Sequence, residues 1–184
     1  MRRLTALFVV VLCASTFAQP PAPLILRAAR WLDVAAGQIR AQAVVVVQDG
    51  RITSVGGEIP AGARTVDLGD VTLLPGLIDA HTHLTGDPEG DWVTRDVREP
   101  PADAALRGAR NAKRTLEAGF TTVRNVAAGG FADIALMKAI DAGLVPGPRM
   151  IASGHALGVT GGHCDATGWA PGILEGGLVG GGRD

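Results

Sequence analysis

The order of apolar patterns between Leu73 and Leu157 most constrains what this chain can fold into. "LLPGLIDAH" is an apolar run of strand character. "PADAALRGARNAKRTLEAG" follows, with Ala105, Ala109, Ala112 and Leu116 on one helical face at i, i+4, i+7 and i+11. Pro101 suits the first turn of that helix, and Gly119 suits the residue just past its end. "FTTVRNV" is β-branched and reads as a strand. "FADIALMKAIDAG" reads as a second helix stopped at Gly143, and "PRMIASGHAL" as another strand. Two parallel neighbours need a crossover, and a helix usually supplies it. Strand, helix, strand, helix, strand therefore predicts parallel βα units in an α/β protein, as in a TIM barrel or a doubly wound sheet.

The region before Leu73 has another rhythm. "LILRAARWLD" reads as a strand. Val44 to Val47 and Ile52 to Val55 flank Asp49-Gly50. An Asp-Gly pair between apolar runs predicts a tight hairpin, because both turn positions need positive φ. "ARTVDLGDVTLL" adds further strand, so residues 19–73 form a β-rich segment and residues 74–184 carry the βα units.

The first 18 residues read as a targeting segment. Arg2 and Arg3 form a positive start, and "LTALFVVVLCAS" is too short to span a bilayer comfortably. Thr16 and Ala18 supply small residues for cleavage before Gln19. A membrane anchor or a buried helix is the alternative reading. Leu12 stands where lipid attachment at Cys13 would need a small residue, which argues against a lipoprotein. The expected mature protein is exported, periplasmic or extracellular, with no membrane partner. Cleavage leaves Cys164 as a lone thiol, so no internal disulfide is expected. A net charge of −1 points to no nucleic-acid partner. Tyrosine is absent and aromatics are 4%, which disfavours an aromatic-rich binding surface.

His81 and His83 end the first of the βα strands, an apolar run expected to be buried. Side chains at i and i+2 of a strand share a face, so both imidazoles can reach one cation. The C-terminal end of a barrel strand is also where such folds place their sites. H-x-H alone is a weak signal, and two ordinary polar residues closing a strand is the bland reading.

"LLPGLIDAHTHL", coming directly after the hairpin "VVVQDGRITSVG", resembles the amidohydrolase superfamily. "LEAGFTTVRNVAAGG" and "GPRMIASGHALGVTGGHCD" resemble its imidazolonepropionase-like and Xaa-Pro dipeptidase-like branch. The resemblance implies the N-terminal part of a TIM (β/α)8 barrel, about three βα units, preceded by part of a small β-sandwich. It implies a divalent metal, zinc foremost, as one or two ions. It implies hydrolysis of carbon–nitrogen bonds in small substrates such as dipeptides, by metal-activated water. His81 and His83 match the first-strand metal ligands. Asp79 matches a position that orients the site from behind, or is simply a satisfied strand-end carboxylate. Arg124 matches the arginine of "TTVR", as a site residue or a structural ion-pair partner. The family often has aspartate where this chain has Asn125. His163, in "TGGHCD", matches a histidine on the substrate side, with a solvated loop residue as the alternative. His155 has a weaker case, and family members usually carry glycine in place of Cys164.

The family completes its metal site with a bridging lysine on the fourth strand, histidines on the fifth and sixth and a general-base aspartate on the eighth. This chain holds none of these, and no lysine follows Arg149. Eight strands with their helices normally take about 250 residues. The chain is therefore expected to be an N-terminal fragment with an incomplete barrel, inactive by itself. A non-catalytic exported remnant or binding fragment is the competing expectation. Among enzymes, a deaminase or an imidazolonepropionase-type cyclic-amide hydrolase competes with a dipeptidase.

Overall fold

The structure is a computed structural model and describes residues 22–159 and 162–164. The expected leader with Cys13, and the Gly-rich stretch from Gly168, lie outside those residues. The chain divides into two compact units between Pro75 and Gly76.

The first unit is one mixed sheet. β1 (Leu24–Asp33) pairs antiparallel with β2 (Gln38–Gln48), which pairs antiparallel with β3 (Arg51–Val55). Along its other edge, β1 pairs in parallel first with β4 (Arg64–Asp67), then with β5 (Thr72–Leu73). The β2–β3 connection is the expected hairpin. Asp49 and Gly50 have φ of +50° and +72°, the left-handed pair that a two-residue turn between right-twisted strands requires. Ile25, Ala28, Ala43, Val45 and Val46 are the buried apolar residues of this sheet. Among the described residues these five strands make a single sheet, without the second layer of a sandwich.

The second unit is the alternating α/β part. β6 (Leu77–Thr82), β7 (Phe120–Asn125) and β8 (Arg149–Ala152) form a parallel sheet in that order. α2 (Pro101–Glu117) and α3 (Ala132–Asp141) are the crossovers, with Pro101 in the first turn of α2 as expected. A shorter helix, α1 (Trp92–Arg98), precedes them. It has too few residues to show an apolar period. Its sequence signal is the cap, where Asp91 accepts a hydrogen bond from the Thr94 backbone N–H at 3.2 Å.

Leu84, Ala112, Val123, Leu136 and Met150 form the core between sheet and helices. Burying side chains of this size contributes about 1.5–3 kcal/mol each for the larger ones. Gly108 lets α2 approach closely. A Cβ there would meet Leu136 Cδ2 at 2.8 Å and Thr85 Cγ2 at 3.2 Å. The helices cover only one face of the sheet. On the other face Ile78 is 71% and Ile151 58% exposed. This corrects the expectation that the histidine pair ends a buried strand. β6 is covered by helices on one side, while a sheet of three parallel strands encloses nothing on the other.

Candidate metal centre

His81 is the penultimate residue of β6 and His83 follows the strand's last residue. Both are exposed, and their ring centroids lie 5.4 Å apart at an interplanar angle of 67°. Two imidazoles bound to one tetrahedral ion put their centroids about 5 Å apart, given metal–nitrogen distances of about 2 Å. The centroid separation is that of two imidazoles sharing a zinc-like ion. The pair supplies two of the roughly three protein ligands a catalytic zinc needs. Among the described residues no group of three or more His, Cys, Asp or Glu side chains could hold a metal.

The register explains which way the pair faces. Asp79 pairs with Val123, and Thr82 with Asn125. Three steps along β6 therefore match two along β7, so β6 carries one extra residue, a bulge. A local hydrogen bond accompanies it. The Asp79 carboxylate accepts a hydrogen bond from the backbone N–H two residues on, that of His81, at 3.0 Å. Val123 and Asn125 are fully buried on the helix side. Asp79 and Thr82, their partners, belong to that side, and both are half-buried. His81 and His83 alternate onto the open side. Simple strand alternation would have put Asp79 beside them. The bulge puts it behind them, tied to the His81 backbone.

Arg124 also lies on the open side, next to buried Asn125, and is exposed. Its Nε donates to the Ala80 carbonyl at 2.7 Å. Among the described residues no carboxylate pairs with it, so its contact is with the bulged strand and not an ion pair. His163 is exposed in a turn at Gly162–Cys164, and the Cys164 thiol beside it is free and half-buried. The structure does not bring either into a cluster with His81 and His83. His155 stacks edge-on against Phe131, with centroids 4.2 Å apart.

The loop after His83 is held by residues that sequence reasoning did not single out for it. Asn125 Oδ1 accepts from the Leu84 N–H at 2.7 Å. Asn111 Nδ2, from α2, donates to the carbonyls of Leu84 at 2.8 Å and Gly86 at 3.0 Å. Arg107, ion-paired with Glu99, donates to the Thr85 carbonyl at 2.9 Å. Asn111 and Arg107 are polar positions on an otherwise Ala-rich helix, and that is their only sequence signal. Further along, the carboxylate of Asp87 accepts from the Glu89 N–H and lies near Arg95 and Arg110. That backbone donor, then the two guanidiniums, hold its pKa below the ordinary aspartate value.

The sequence model of the amidohydrolase family matches residues 72–171. Ochratoxinase of Aspergillus niger is 34% identical over 136 residues, 70% of this chain and 28% of that protein. Imidazolonepropionase of Kosmotoga olearia is 29% identical over 128 residues, 56% of this chain and 32% of that protein. The crystal structure of a Xaa-Pro dipeptidase with bound methionine in the active site superposes with a TM-score of 0.70. It is 29% identical, covering 82% of this chain and 38% of that one. The chain thus spans roughly a third of the length of these relatives.

Proposed function

The chain belongs to the amidohydrolase family, and on that premise we propose that it is part of a metal-dependent hydrolase of carbon–nitrogen bonds in small substrates such as dipeptides. The observation that carries the reading is the imidazole pair, His81 and His83, side by side on the open face at the C-terminal end of the first parallel strand. A divalent ion, zinc by the chemistry of the donors, supplies Lewis acidity and a water of near-neutral pKa when bound. His81 and His83 hold it. Asp79 fixes the His81 backbone from behind, and Arg124 flanks the pair on the same face. His163 stands on the substrate side. Relatives that act as dipeptidases support a dipeptide substrate, and the imidazolonepropionase likeness keeps a cyclic amide as the rival. The remaining ligands and the general base come from later barrel strands in this reading. Arg2, Arg3 and the apolar stretch after them support export, with the mature chain starting at Gln19.

The test uses the full-length protein. Chelator-treated enzyme is assayed on Xaa-Pro dipeptides, N-acyl amino acids, cyclic amides and aminopurines, before and after zinc is restored. Amide hydrolysis that needs zinc and is lost in His81→Ala and His83→Ala supports the proposal. Hydrolysis that survives both substitutions overturns it. Activity confined to aminopurines overturns it in favour of a deaminase. Mass analysis of protein from the culture fluid or periplasm tests export, which a retained Met1 refutes.

A further inference from the structure

Asn125 and Asp133 form a buried polar pair that the metal pair does not use. Both are fully buried. Asn125 Nδ2 donates to Asp133 Oδ2 at 3.3 Å and to the Ala127 carbonyl at 3.0 Å. Asp133 Oδ2 also accepts from the Gly154 N–H at 3.0 Å, and its Oδ1 from the Ile134 N–H at 2.9 Å. The carboxylate has only donors around it, so it dictates the orientation of the amide. With Nδ2 turned to Asp133, Oδ1 is left to face the Leu84 N–H, the peptide immediately after His83. The Leu84 carbonyl is taken by Asn111. Both polar groups of the residue after His83 are thereby held by side chains from β7 and α2. The same carboxylate ties down the end of β8 through Gly154.

We propose that Asn125 is a positioning residue for His83, with Asp133 setting its orientation and Asn111 holding the opposite side of the loop. The proposal rests on the reading of His81 and His83 as metal ligands. It also explains why asparagine stands at 125. An aspartate there would place two carboxylates against each other in a dry site and leave the Ala127 carbonyl without its donor. A ligand whose backbone is held on both sides keeps its imidazole aimed without further ordering on binding. Loss of such outer support typically costs 10–100-fold in metal affinity.

The experiment measures zinc affinity of the full-length protein by competition with a chromophoric chelator, together with thermal midpoints. Asn125→Asp is expected to weaken zinc binding about tenfold or more. The exchanged pair, Asn125→Asp with Asp133→Asn, restores one donor between the two side chains and is expected to recover most of that loss. Asn111→Ala, at a half-buried position and so easier to fold, is expected to weaken binding several-fold. Ile140→Ala is the control. The side chain lies beside Gly147 and Ala112, at the end of α3 away from Asp133, and its loss should lower the midpoint while leaving affinity within about twofold. Affinities of all these variants that follow their midpoints along the line set by Ile140→Ala overturn the proposal. So does an exchanged pair no better than Asn125→Asp alone. His83→Ala separates the two readings. If it leaves zinc affinity unchanged, the metal reading itself fails. If it abolishes binding while Asn125→Asp and Asn111→Ala do not weaken it, only the positioning role fails.

Discussion

The two units solve the same problem, pairing strands, at different sequence distances. In the first, β2 turns back into β3 across two residues, and several of its side-chain bonds are local. Asp33 accepts from the Ala36 N–H three residues on, and Asp67 from the Gly69 N–H two residues on. In the second, the bonds that shape the site are long-range. Asn125 reaches Leu84 across 41 residues, and Arg124 reaches Ala80 across 44. Parallel pairing of consecutive strands forces this, because the chain must cross over, here through a helix, before it returns to the same sheet. The first unit writes the geometry of its β2–β3 hairpin into turn residues. The second depends on a packed interior to bring its polar groups together.

The largest effect that would sharpen this contrast is Leu136→Ala. The side chain is 2% exposed in the core of the second unit, and its loss is expected to cost about 2–5 kcal/mol. Urea unfolding gives the magnitude. Hydrogen exchange should place the loss in β6–β8 and spare β1–β3, and equal loss in both units would break the comparison. Next, His83→Ala is expected to reduce zinc affinity about 100-fold or more with little change in melting, because the side chain is exposed. A smaller effect belongs to the first unit. Gly50 has φ of +72°, so Gly50→Ala is expected to cost about 1 kcal/mol through left-handed strain. Zinc affinity should not change, and a changed affinity would show the hairpin to be more than a local device.

The smallest effect is electrostatic and appears in both units. Asp33 is held below its ordinary pKa first by the Ala36 N–H and then by Arg40, and Asp87 first by the Glu89 N–H and then by its arginines. Lowered in the fold, each carboxylate adds stability that is present above the ordinary aspartate pKa. That stability fades as pH falls below about 4. Melting at pH 7 and pH 3 should show a modest loss, reduced in Asp87→Asn. An unchanged difference in that variant would remove Asp87 from the account.

Much of the second unit was legible because its signals are short-range or periodic. The Ala105, Ala109, Ala112 face of α2 and the β-branched run of β7 needed no partner to be read. α1 went unread because seven residues carry too little periodicity. Asp79 was legible as a position behind the histidines only through family resemblance. Its place there comes from a bulge in the β6–β7 pairing, where its own carboxylate accepts from the His81 N–H. Arg124 illustrates the limit. Of its two anticipated roles, the ion pair does not form among the described residues, and its partner, a backbone carbonyl on another strand, leaves no mark in the sequence.

By itself the sequence determined the element order, the Asp-Gly hairpin and the spacing that lets His81 and His83 share a cation, because each follows from backbone periods and local φ preferences. Tertiary structure alone decided that Asp79 faces away from the histidines, and that Asn125 and Asp133 meet in the interior. It also decided that Asn111 closes on the loop after His83. Register and burial are properties of pairs far apart in the chain. An asparagine at a strand end looks the same in sequence whether water or a buried carboxylate will receive its amide.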